Sequence, residues 1–264
     1  MTSRNFTARV PVIDANVGVG HKTKRPAPFD TPDELMTEMQ RHGVERALVH
    51  HQAGETGSAI EANELLTKWC SDDGPLTYQW TAGPEADSLK QLQQLRADGK
   101  VDNVRLHDCA ASGLPFVDWL YGDLLEWLQA EKIPLWVSMA NEWDPTWLSP
   151  MPMTPVTEIM DTLRKFPDIV TVLVGAHYSH AHFLRPFLKL LPNSYIELSR
   201  YEVLADLEKI IAEYGAGRFV YGSFYPRYAA GPMLFYIHNI GLSDADLKGI
   251  CAGNLEAILE GGAK

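Results

Sequence analysis

Arg218-Phe-Val-Tyr-Gly-Ser-Phe-Tyr-Pro226 has the pattern of a buried strand that ends in a tight turn. Residues 219–221 form a short apolar run, which is typical of a strand in a protein core. Gly222 lets the backbone turn tightly after this run, and Pro226 prevents the strand from continuing. Because functional residues concentrate on loops that follow buried elements, we expect part of a functional site in residues 222–226.

Seven earlier segments have the same strand character, and amphipathic stretches with helical spacing separate them. The eight predicted strands span residues 10–14, 47–51, 76–81, 103–107, 134–139, 171–175, 194–198 and 218–221. The first helix has a clear start, since Thr31 can cap it, Pro32 suits the first helical position and Glu34 completes a capping box.

The alternation of strands and helices predicts a single (β/α)8 TIM barrel, with its functional site at the C-terminal ends of the strands. A doubly wound open sheet has the same local pattern and is the alternative. No linker rich in Pro, Gly or Ser divides the chain, so we expect one domain over residues 1–264. The segment 141–153 is long and rich in Trp and Pro, which is typical of a functional loop.

The composition is that of a globular protein and argues against several kinds of partner. The chain has 264 residues, of which 45% are hydrophobic and 22% are charged, and it can bury a sizeable core. Its net charge of -11 argues against nucleic acid and anionic membrane surfaces as partners. No apolar run reaches the roughly 18 residues of a membrane span. The three cysteines, at positions 70, 109 and 251, are scattered, so we expect a reducing, cytoplasmic location.

The segment after the last strand resembles the Gly-Ser-Asp-Tyr-Pro signature of the amidohydrolase superfamily, in the branch of small metal-dependent hydrolases and decarboxylases. In that family the Asp binds metal and takes a proton from the attacking water, and here Phe224 stands at its position. Val12-Ile-Asp-Ala-Asn-Val-Gly18 is similar to the family's Ile-Asp-x-His-x-His segment, and Asn193-Ser-Tyr-Ile-Glu-Leu-Ser199 to its Asn-Val-Tyr-x-Asp-x-Ser segment. Ala252-Gly-Asn-Leu-Glu-Ala-Ile-Leu259 resembles its closing Gly-Asn-Ala-x-x-Leu helix. The resemblance covers nearly the whole chain and implies a metal-dependent-hydrolase-like (β/α)8 barrel.

The resemblance is weak at the positions that bind metal in the family. Asn16 and Gly18 stand where the first strand of the family has two histidines, and Ser138 stands where strand five ends in a ligand histidine. His177, at the end of strand six, keeps the family's histidine. A catalytic zinc needs about three protein ligands, and neither Gly18 nor Phe224 has a side chain that can bind one. We therefore expect no metal cofactor, and the alternative is one divalent metal such as zinc in a rebuilt site.

Ionisable side chains at the predicted strand ends are the candidates for chemistry. Arg105 and His107 alternate with apolar neighbours, so they share one face of their strand. Histidines suit proton transfer near neutral pH, and arginines suit the recognition of carboxylates. The predicted catalytic residues are His177, His107 and Arg105, and the predicted substrate-binding residues are Asn16, His50, Ser138, Tyr225 and Arg227.

Structural roles are the alternatives for several of these residues. Arg105 could pair with Glu197 in a structural ion pair, and Tyr225 could pack beneath the last turn. Because adjacent strand residues point to opposite faces, at most one of His50 and His51 should face the barrel axis.

Three classes of function fit these residues. The first is a divergent amidohydrolase-family hydrolase that works without metal on a lactone, amide or related bond of a small, anionic, carboxylated substrate. The second is a metal-dependent hydrolase or decarboxylase whose site is rebuilt from His50 or His51, His107 and His177. The third is an inactive barrel that binds a ligand or a protein partner. We expect the first, and the sequence leaves open whether the chain forms a homo-oligomer.

Overall fold

Parallel strands and helices alternate along the chain, as the sequence predicts. The computed structural model describes residues 6–21, 26–55, 57–71, 73–107, 114–139, 155–177, 180–202 and 205–261. The described residues contain nine strand segments, which are β1 (Val12–Val19), β2 (Val44–His51), β3 (Leu76–Tyr78), β4 (Trp80–Ala82), β5 (Val104–Leu106), β6 (Leu135–Ser138), β7 (Thr171–Val174), β8 (Ser194–Glu197) and β9 (Phe219–Val220). Gln79 separates β3 from β4, and these two segments together take the place of the third predicted strand.

The strand segments form a closed barrel. Parallel hydrogen-bonded pairs follow the chain order, through β1, β2 and β3 and then from β4 to β9. The amide of Gln79 donates to the carbonyl of Val49 at 2.8 Å, which continues the pairing of β2 past the interruption. The last and first strands meet where the amide of Ala15 donates to the carbonyl of Tyr221 at 3.0 Å. These contacts confirm the predicted (β/α)8 barrel, in which the carboxyl ends of the strands meet at one mouth.

The helices lie between and after the strands. Within the described ranges they are α1 (Pro32–Gln40), α2 (Ala59–Leu66), α3 (Ala86–Ala97), α4 (Asp118–Glu131), α5 (Val156–Leu163), α6 (Ala181–Leu190), α7 (Leu207–Tyr214), α8 (Gly231–Asn239), α9 (Asp244–Lys248) and α10 (Asn254–Leu259). The hydroxyl of Thr31 accepts from the amide of Glu34 at 3.2 Å, which confirms the predicted start of α1. In the described part of the chain, none of the helices has the length and apolar character that a membrane crossing requires. The predicted functional loop 141–153 lies outside the described residues.

The strands are buried on both faces, which explains their nearly continuous apolar sequence. All eight residues of β1 are buried, including Asp14 and Asn16. Inside the barrel, Trp136 and Tyr195 pack with aliphatic side chains such as Val172. A larger apolar layer joins the strands to the surrounding helices. The buried polar side chains His50, His107 and Glu197 lie at the carboxyl ends of their strands.

Candidate active site

Two histidines and a glutamate, the His–Glu–His cluster, lie together at the carboxyl ends of the strands. His50 lies near the end of β2, and a 3-10 turn over Gln52–Glu55 brings Glu55 back toward it. His107 follows directly after β5. One ligand atom from each of these three buried residues lies within 4.8 Å of the others. Nε2 of His50 is 3.5 Å from Oε1 of Glu55. The cluster therefore offers two nitrogens and one oxygen to a cation.

Burial keeps both imidazoles of the cluster neutral. The pKa of His50 falls from 6.5 to about 3, first because of burial and then because of the nearby Arg105 cation. Burial, followed by the same cation, lowers the pKa of His107 well below 6.5. A neutral imidazole is the form that binds a metal ion. With the Glu55 carboxylate, the cluster matches the nitrogen and oxygen donors that Zn²⁺ or Mn²⁺ takes from proteins.

The prediction that the chain has no metal cofactor is wrong, because the described residues contain this cluster. That prediction rested on the family's metal positions on β1, on β6 and in the last turn, whereas the cluster lies on β2, on the turn after it and beyond β5. The alternative of a rebuilt histidine site is closer to the structure. It shares His50 and His107 with the cluster, and Glu55 takes the place that the alternative gives to His177.

Arg105 lies at the centre of a hydrogen-bond network beside the cluster, and it is 1% exposed. Its Nη1 atom donates to Oδ1 of Asn16 at 2.8 Å and to Oε1 of Gln79 at 2.9 Å. Nη1 also lies 3.3 Å from Nδ1 of His50. The two hydrogens of Nη1 serve the shorter bonds to Asn16 and Gln79, so its contact with His50 is a close approach of charge and not a third full hydrogen bond. Arg105 thus holds its cation beside the ring of His50.

Glu197, at the end of β8, is a buried carboxylate that accepts from four donors. The amide and the hydroxyl of Ser199 donate to it at 2.7 and 2.8 Å. Nδ2 of Asn16 donates at 3.2 Å, and the amide of Gly175 donates at 3.4 Å. Burial raises the pKa of Glu197, and the bonds from Ser199 oppose that rise. Asn16 therefore bridges Glu197 and Arg105, in place of the direct ion pair that the sequence offers as an alternative.

Phe224 and Arg227 bring an aromatic ring and a second guanidinium to the cluster. Phe224 has a φ of 58°, in the left-handed region that bulky residues rarely adopt. The centroid of its buried ring lies 4.3 Å from the guanidinium carbon of Arg227 and 5.8 Å from that of Arg105. Both distances permit cation–π attraction. Nη2 of Arg227 donates to Oε2 of Glu55, while Nη1 has no hydrogen-bond partner among the described residues. Arg227 can therefore receive an anion.

The remaining three predicted site residues, Ser138, Tyr225 and His177, are not members of the cluster either. Ser138 is 2% exposed at the end of β6, and within the described ranges its hydroxyl has no hydrogen-bond partner. The ring of Tyr225 stacks on Phe29 at 5.7 Å, which corresponds to the packing role considered as its alternative. His177 lies partly buried beyond β7, and its amide donates to Nδ1 of His180 at 3.0 Å. Partial burial lowers the pKa of His177, so its ring is largely neutral at neutral pH.

The sequence does not point to Glu55, Gln52 or Gln79. Glu55 reaches the cluster only because a 3-10 turn folds back after β2. The signal in the sequence that could have indicated Glu55 is an acidic residue a few positions after a histidine at the end of a strand. A side chain on Gly18 would meet Cγ of Gln52 at 2.9 Å, so Gln52 fills the place of the family's second histidine. Gln79 interrupts a strand and accepts from Arg105 at 2.9 Å. Each of these polar residues acts through a tertiary contact that no local pattern encodes.

Asp14 makes the stability of the protein depend on pH. It is buried, and its Oδ1 atom accepts from the amides of Asn16 at 3.0 Å and Ser223 at 2.9 Å. Burial is the largest effect on this group and raises its pKa from 3.8 to about 7. Between these two values the folded protein keeps a proton that the unfolded chain has released. The stability that this group contributes at low pH is therefore lost as the pH rises.

We expect wild-type protein to lose stability relative to the Asp14→Asn variant as the pH rises, because asparagine keeps the acceptor at Oδ1 and does not titrate. The difference in their free energies of unfolding should change by about 1.4 kcal/mol per pH unit between about pH 5 and pH 6.5. Urea denaturation of both proteins at these two pH values measures it. A difference that stays constant would contradict the raised pKa of Asp14.

The fold and the site define a barrel protein with ionisable side chains at the carboxyl ends of parallel strands, where enzymes of this fold carry their active sites. The amidohydrolase family model matches residues 18–260. The chain therefore belongs to the amidohydrolase family. None of the functionally curated proteins matches its sequence.

Several solved structures share the fold over nearly their whole length. An uncharacterized TIM-barrel protein from Bordetella bronchiseptica is 15% identical with a TM-score of 0.74, over 97% of this chain and 100% of that one. A dihydroxybenzoic acid decarboxylase from a Polaromonas species was solved with bound manganese and the inhibitor 2-nitroresorcinol. It is 16% identical with a TM-score of 0.73, over 95% of this chain and 97% of that one. The 5-carboxyvanillate decarboxylase of Sphingomonas paucimobilis is 14% identical with a TM-score of 0.71, over 95% and 99%. At these identities the similarity shows the fold alone.

Proposed function

We propose that this protein, a single barrel domain over residues 1–264, is a metal-dependent enzyme that removes CO₂ from a small carboxylate-bearing molecule. The observation that supports this most strongly is the presence of two buried guanidiniums, those of Arg105 and Arg227, beside the His–Glu–His cluster. A substrate carboxylate that leaves water needs a cationic partner in the pocket. The cluster and the two arginines together provide positive charge where a small anion can enter.

Each group near the cluster has a distinct part in this proposal. His50, Glu55 and His107 would hold the cation, which when bound supplies positive charge that stabilises negative charge developing on the substrate. Arg227 offers Nη1 to the substrate carboxylate, while its Nη2 atom holds Glu55. Arg105 donates to Asn16 and Gln79 through Nη1 and lies beside His50. Arg105 is therefore a positioning residue, and Arg227 is the carboxylate-binding residue.

Phe224 favours decarboxylation over hydrolysis. The family resemblance places an Asp at this position to take a proton from the attacking water, and a phenyl ring cannot do so. Loss of CO₂ requires no attacking water. The bond between the carboxylate carbon and its neighbour breaks, the electron pair stays on the neighbouring carbon, and that carbon takes up a proton. The ring of Phe224 also keeps water from the carboxylate, which weakens its solvation before the bond breaks.

The named relatives of similar fold support the same reaction. Of the three solved structures named above, two are decarboxylases by name, one of dihydroxybenzoic acid and one of 5-carboxyvanillate. The first of these was solved with manganese. Small aromatic carboxylates are therefore the first substrates to test, with Mn²⁺ as the cation.

Hydrolysis of a lactone, amide or related bond in a carboxylated substrate is the second candidate, and the state of His177 supports it. Its lowered pKa leaves the imidazole largely neutral, so the ring can accept a proton from water near neutral pH. In decarboxylation the same ring would pass a proton from solvent to the substrate carbon. His177 takes part in either reaction under this proposal.

We expect the His177→Ala variant to lose about 100-fold in kcat, because it removes the group that transfers the proton. The residue is only partly buried, so the thermal midpoint of unfolding should change little. Steady-state kinetics and thermal melts measure the two effects. His182→Ala is the matched control, since His182 is exposed on α6 and its loss should leave turnover unchanged. Undiminished turnover in the His177→Ala variant would remove this residue from the mechanism.

A product assay with purified protein and Mn²⁺ tests the proposed reaction. The substrates are hydroxylated benzoates and, for the second candidate, lactones that carry a carboxylate. Release of CO₂ from a benzoate that depends on Mn²⁺ would support decarboxylation, and ring opening of a lactone without CO₂ would support hydrolysis. Folded, Mn²⁺-loaded protein that turns over neither set would contradict an enzymatic role on these substrates.

A further inference from the structure

The charges around the His–Glu–His cluster favour an anion as soon as a divalent cation is added. Glu55 contributes one negative charge, Glu197 contributes a second behind Asn16, and Arg105 and Arg227 contribute two positive charges. A cation alone would therefore add two positive charges to buried side chains whose own charges already cancel.

Arg227 is the group that can bring in the compensating anion. Its side chain is 6% exposed, and the ring of Phe224 packs against its guanidinium. Nη2 donates to Oε2 of Glu55, whose other oxygen faces Nε2 of His50 at 3.5 Å. Nη1 has no hydrogen-bond partner in the part of the chain that the structure describes. A buried guanidinium with an open N–H is suited to a carboxylate. Arg227 thus contacts a ligand of the cation with one nitrogen and offers the other to an anion.

We propose that the divalent cation and the substrate carboxylate bind cooperatively, with Arg227 as the residue that couples them. This inference rests on the proposed function, from which it takes the cation and the carboxylate. A cation held by Glu55 would draw electron density from that carboxylate, so the carboxylate would neutralise Arg227 less and Arg227 would attract a substrate carboxylate more strongly. Linkage then requires the carboxylate to raise the affinity for the cation by the same factor. Each ligand binds weakly alone, and the two bind tightly as a pair.

Isothermal titration calorimetry measures this coupling, with Mn²⁺ as the cation and benzoate as the carboxylate probe. Mn²⁺ is titrated into wild-type protein with and without saturating benzoate, and benzoate is titrated with and without saturating Mn²⁺. We expect each ligand to raise the affinity for the other at least about tenfold. Affinities for Mn²⁺ that are equal with and without benzoate would overturn the proposal.

Substitutions at Arg227 test its part in the coupling. The coupling factor is the ratio of the Mn²⁺ affinities with and without benzoate. Arg227→Gln removes the charge, so this factor should fall to within about twofold of one. Arg227→Lys keeps the charge but cannot contact Glu55 and an anion at once, so it should give an intermediate factor. Arg96→Gln is the matched control, because Arg96 pairs with Glu131 at 3.3 Å on the outside of the barrel and should leave the coupling unchanged. Circular dichroism checks folding, and the lysine variant decides the matter if the glutamine variant does not fold. Wild-type coupling in the folded variants would overturn the role of Arg227.

Failure of the proposed function has a different signature from failure of the coupling. If no Mn²⁺ binds to wild-type protein, with or without benzoate, the metal-dependent function and the coupling both fail. If Mn²⁺ binds but benzoate does not change its affinity, the proposed function stands and only the coupling fails. Binding of Mn²⁺ that is measurable only with benzoate present is the strongest form of the expected result.

Discussion

The Glu55→Gln variant is expected to bind Mn²⁺ at least about 100-fold more weakly than wild-type protein and to lose its metal-dependent turnover. An amide carries no charge and is a weaker ligand than a carboxylate, and Glu55 supplies the one negative charge within the His–Glu–His cluster. Without that charge, the guanidiniums of Arg105 and Arg227 repel a cation more strongly. Glutamine keeps the side-chain length and an oxygen that can accept from Arg227. Calorimetric titration with Mn²⁺ measures the loss of affinity.

Two comparisons show whether that loss is local. Glu131→Gln removes a surface glutamate that pairs with Arg96, and it should leave Mn²⁺ affinity unchanged. Benzoate binding by the Glu55→Gln variant should persist or strengthen, because Arg227 loses an anionic partner while the pocket keeps its shape. If Glu55→Gln bound Mn²⁺ with wild-type affinity, the cation would have to lie elsewhere in the protein.

The Gly222→Ala variant is expected to be less stable than wild-type protein by about 3 kcal/mol. A Cβ atom at this position would lie 2.1 Å from Oε1 of Glu197. The carboxylate cannot move aside without cost, since Ser199, Asn16 and Gly175 all donate to it. Displacing it would leave buried donors without their acceptor. Urea denaturation at a fixed pH measures the change in the free energy of unfolding.

Gly122→Ala is the matched control for this variant. Gly122 lies within α4, and among the described residues no atom outside the backbone of its own helix and its chain neighbours lies within 4 Å of the place where its Cβ would be. Replacing a helical glycine by alanine should therefore stabilise the protein by about 0.5 to 1 kcal/mol. The same chemical change should thus have opposite signs at the two positions. A Gly222→Ala variant as stable as wild-type protein would contradict the tight packing of Glu197 against the last turn.

Most of the barrel could be predicted from the sequence because its strands are short apolar runs that must be buried. The exceptions occur where polar contacts shape a strand. The first strand continues to Val19, beyond its predicted end, because its carboxyl end pairs with the last turn, where the amide of Gly18 donates to the carbonyl of Tyr225 at 2.7 Å. The third strand is interrupted at Gln79, whose side chain accepts from Arg105. Both departures depend on residues that are distant in the sequence.

Gly222, in the last turn, is important for a different reason from the one that the sequence suggests. The sequence predicts that Gly222 serves the tight turn, but Gly222 is absent from the glycines of positive φ among the described residues, and the left-handed conformation occurs at Phe224 instead. Gly222 is required because the carboxylate of Glu197 occupies the space that a side chain would need. A pattern of turn-forming residues indicates a bend, but it does not say which neighbour fills the space beside it.

The candidate site could be predicted only in part. The alternation of polar and apolar residues correctly indicates that Arg105 and His107 share a face, since His107 joins the cluster and Arg105 contacts His50 in it. The prediction about the metal was wrong because the residues of the cluster lie outside the positions at which the family binds it. Glu55 reaches the cluster through a turn, and its neighbours are brought together by the closure of the barrel. Ligands that are assembled from separate strands in this way have no spacing that a single sequence displays.

Anomalous diffraction from crystals grown with Mn²⁺ and benzoate tests the central claim most directly, because it locates the cation without reference to activity. We expect one strong anomalous peak within about 2.5 Å of a nitrogen of His50, a nitrogen of His107 and an oxygen of Glu55. We also expect a benzoate carboxylate on Nη1 of Arg227. A peak beside Asn16 and His177, or the lack of any peak in crystals that contain bound benzoate, would contradict the claim that this cluster is the metal centre.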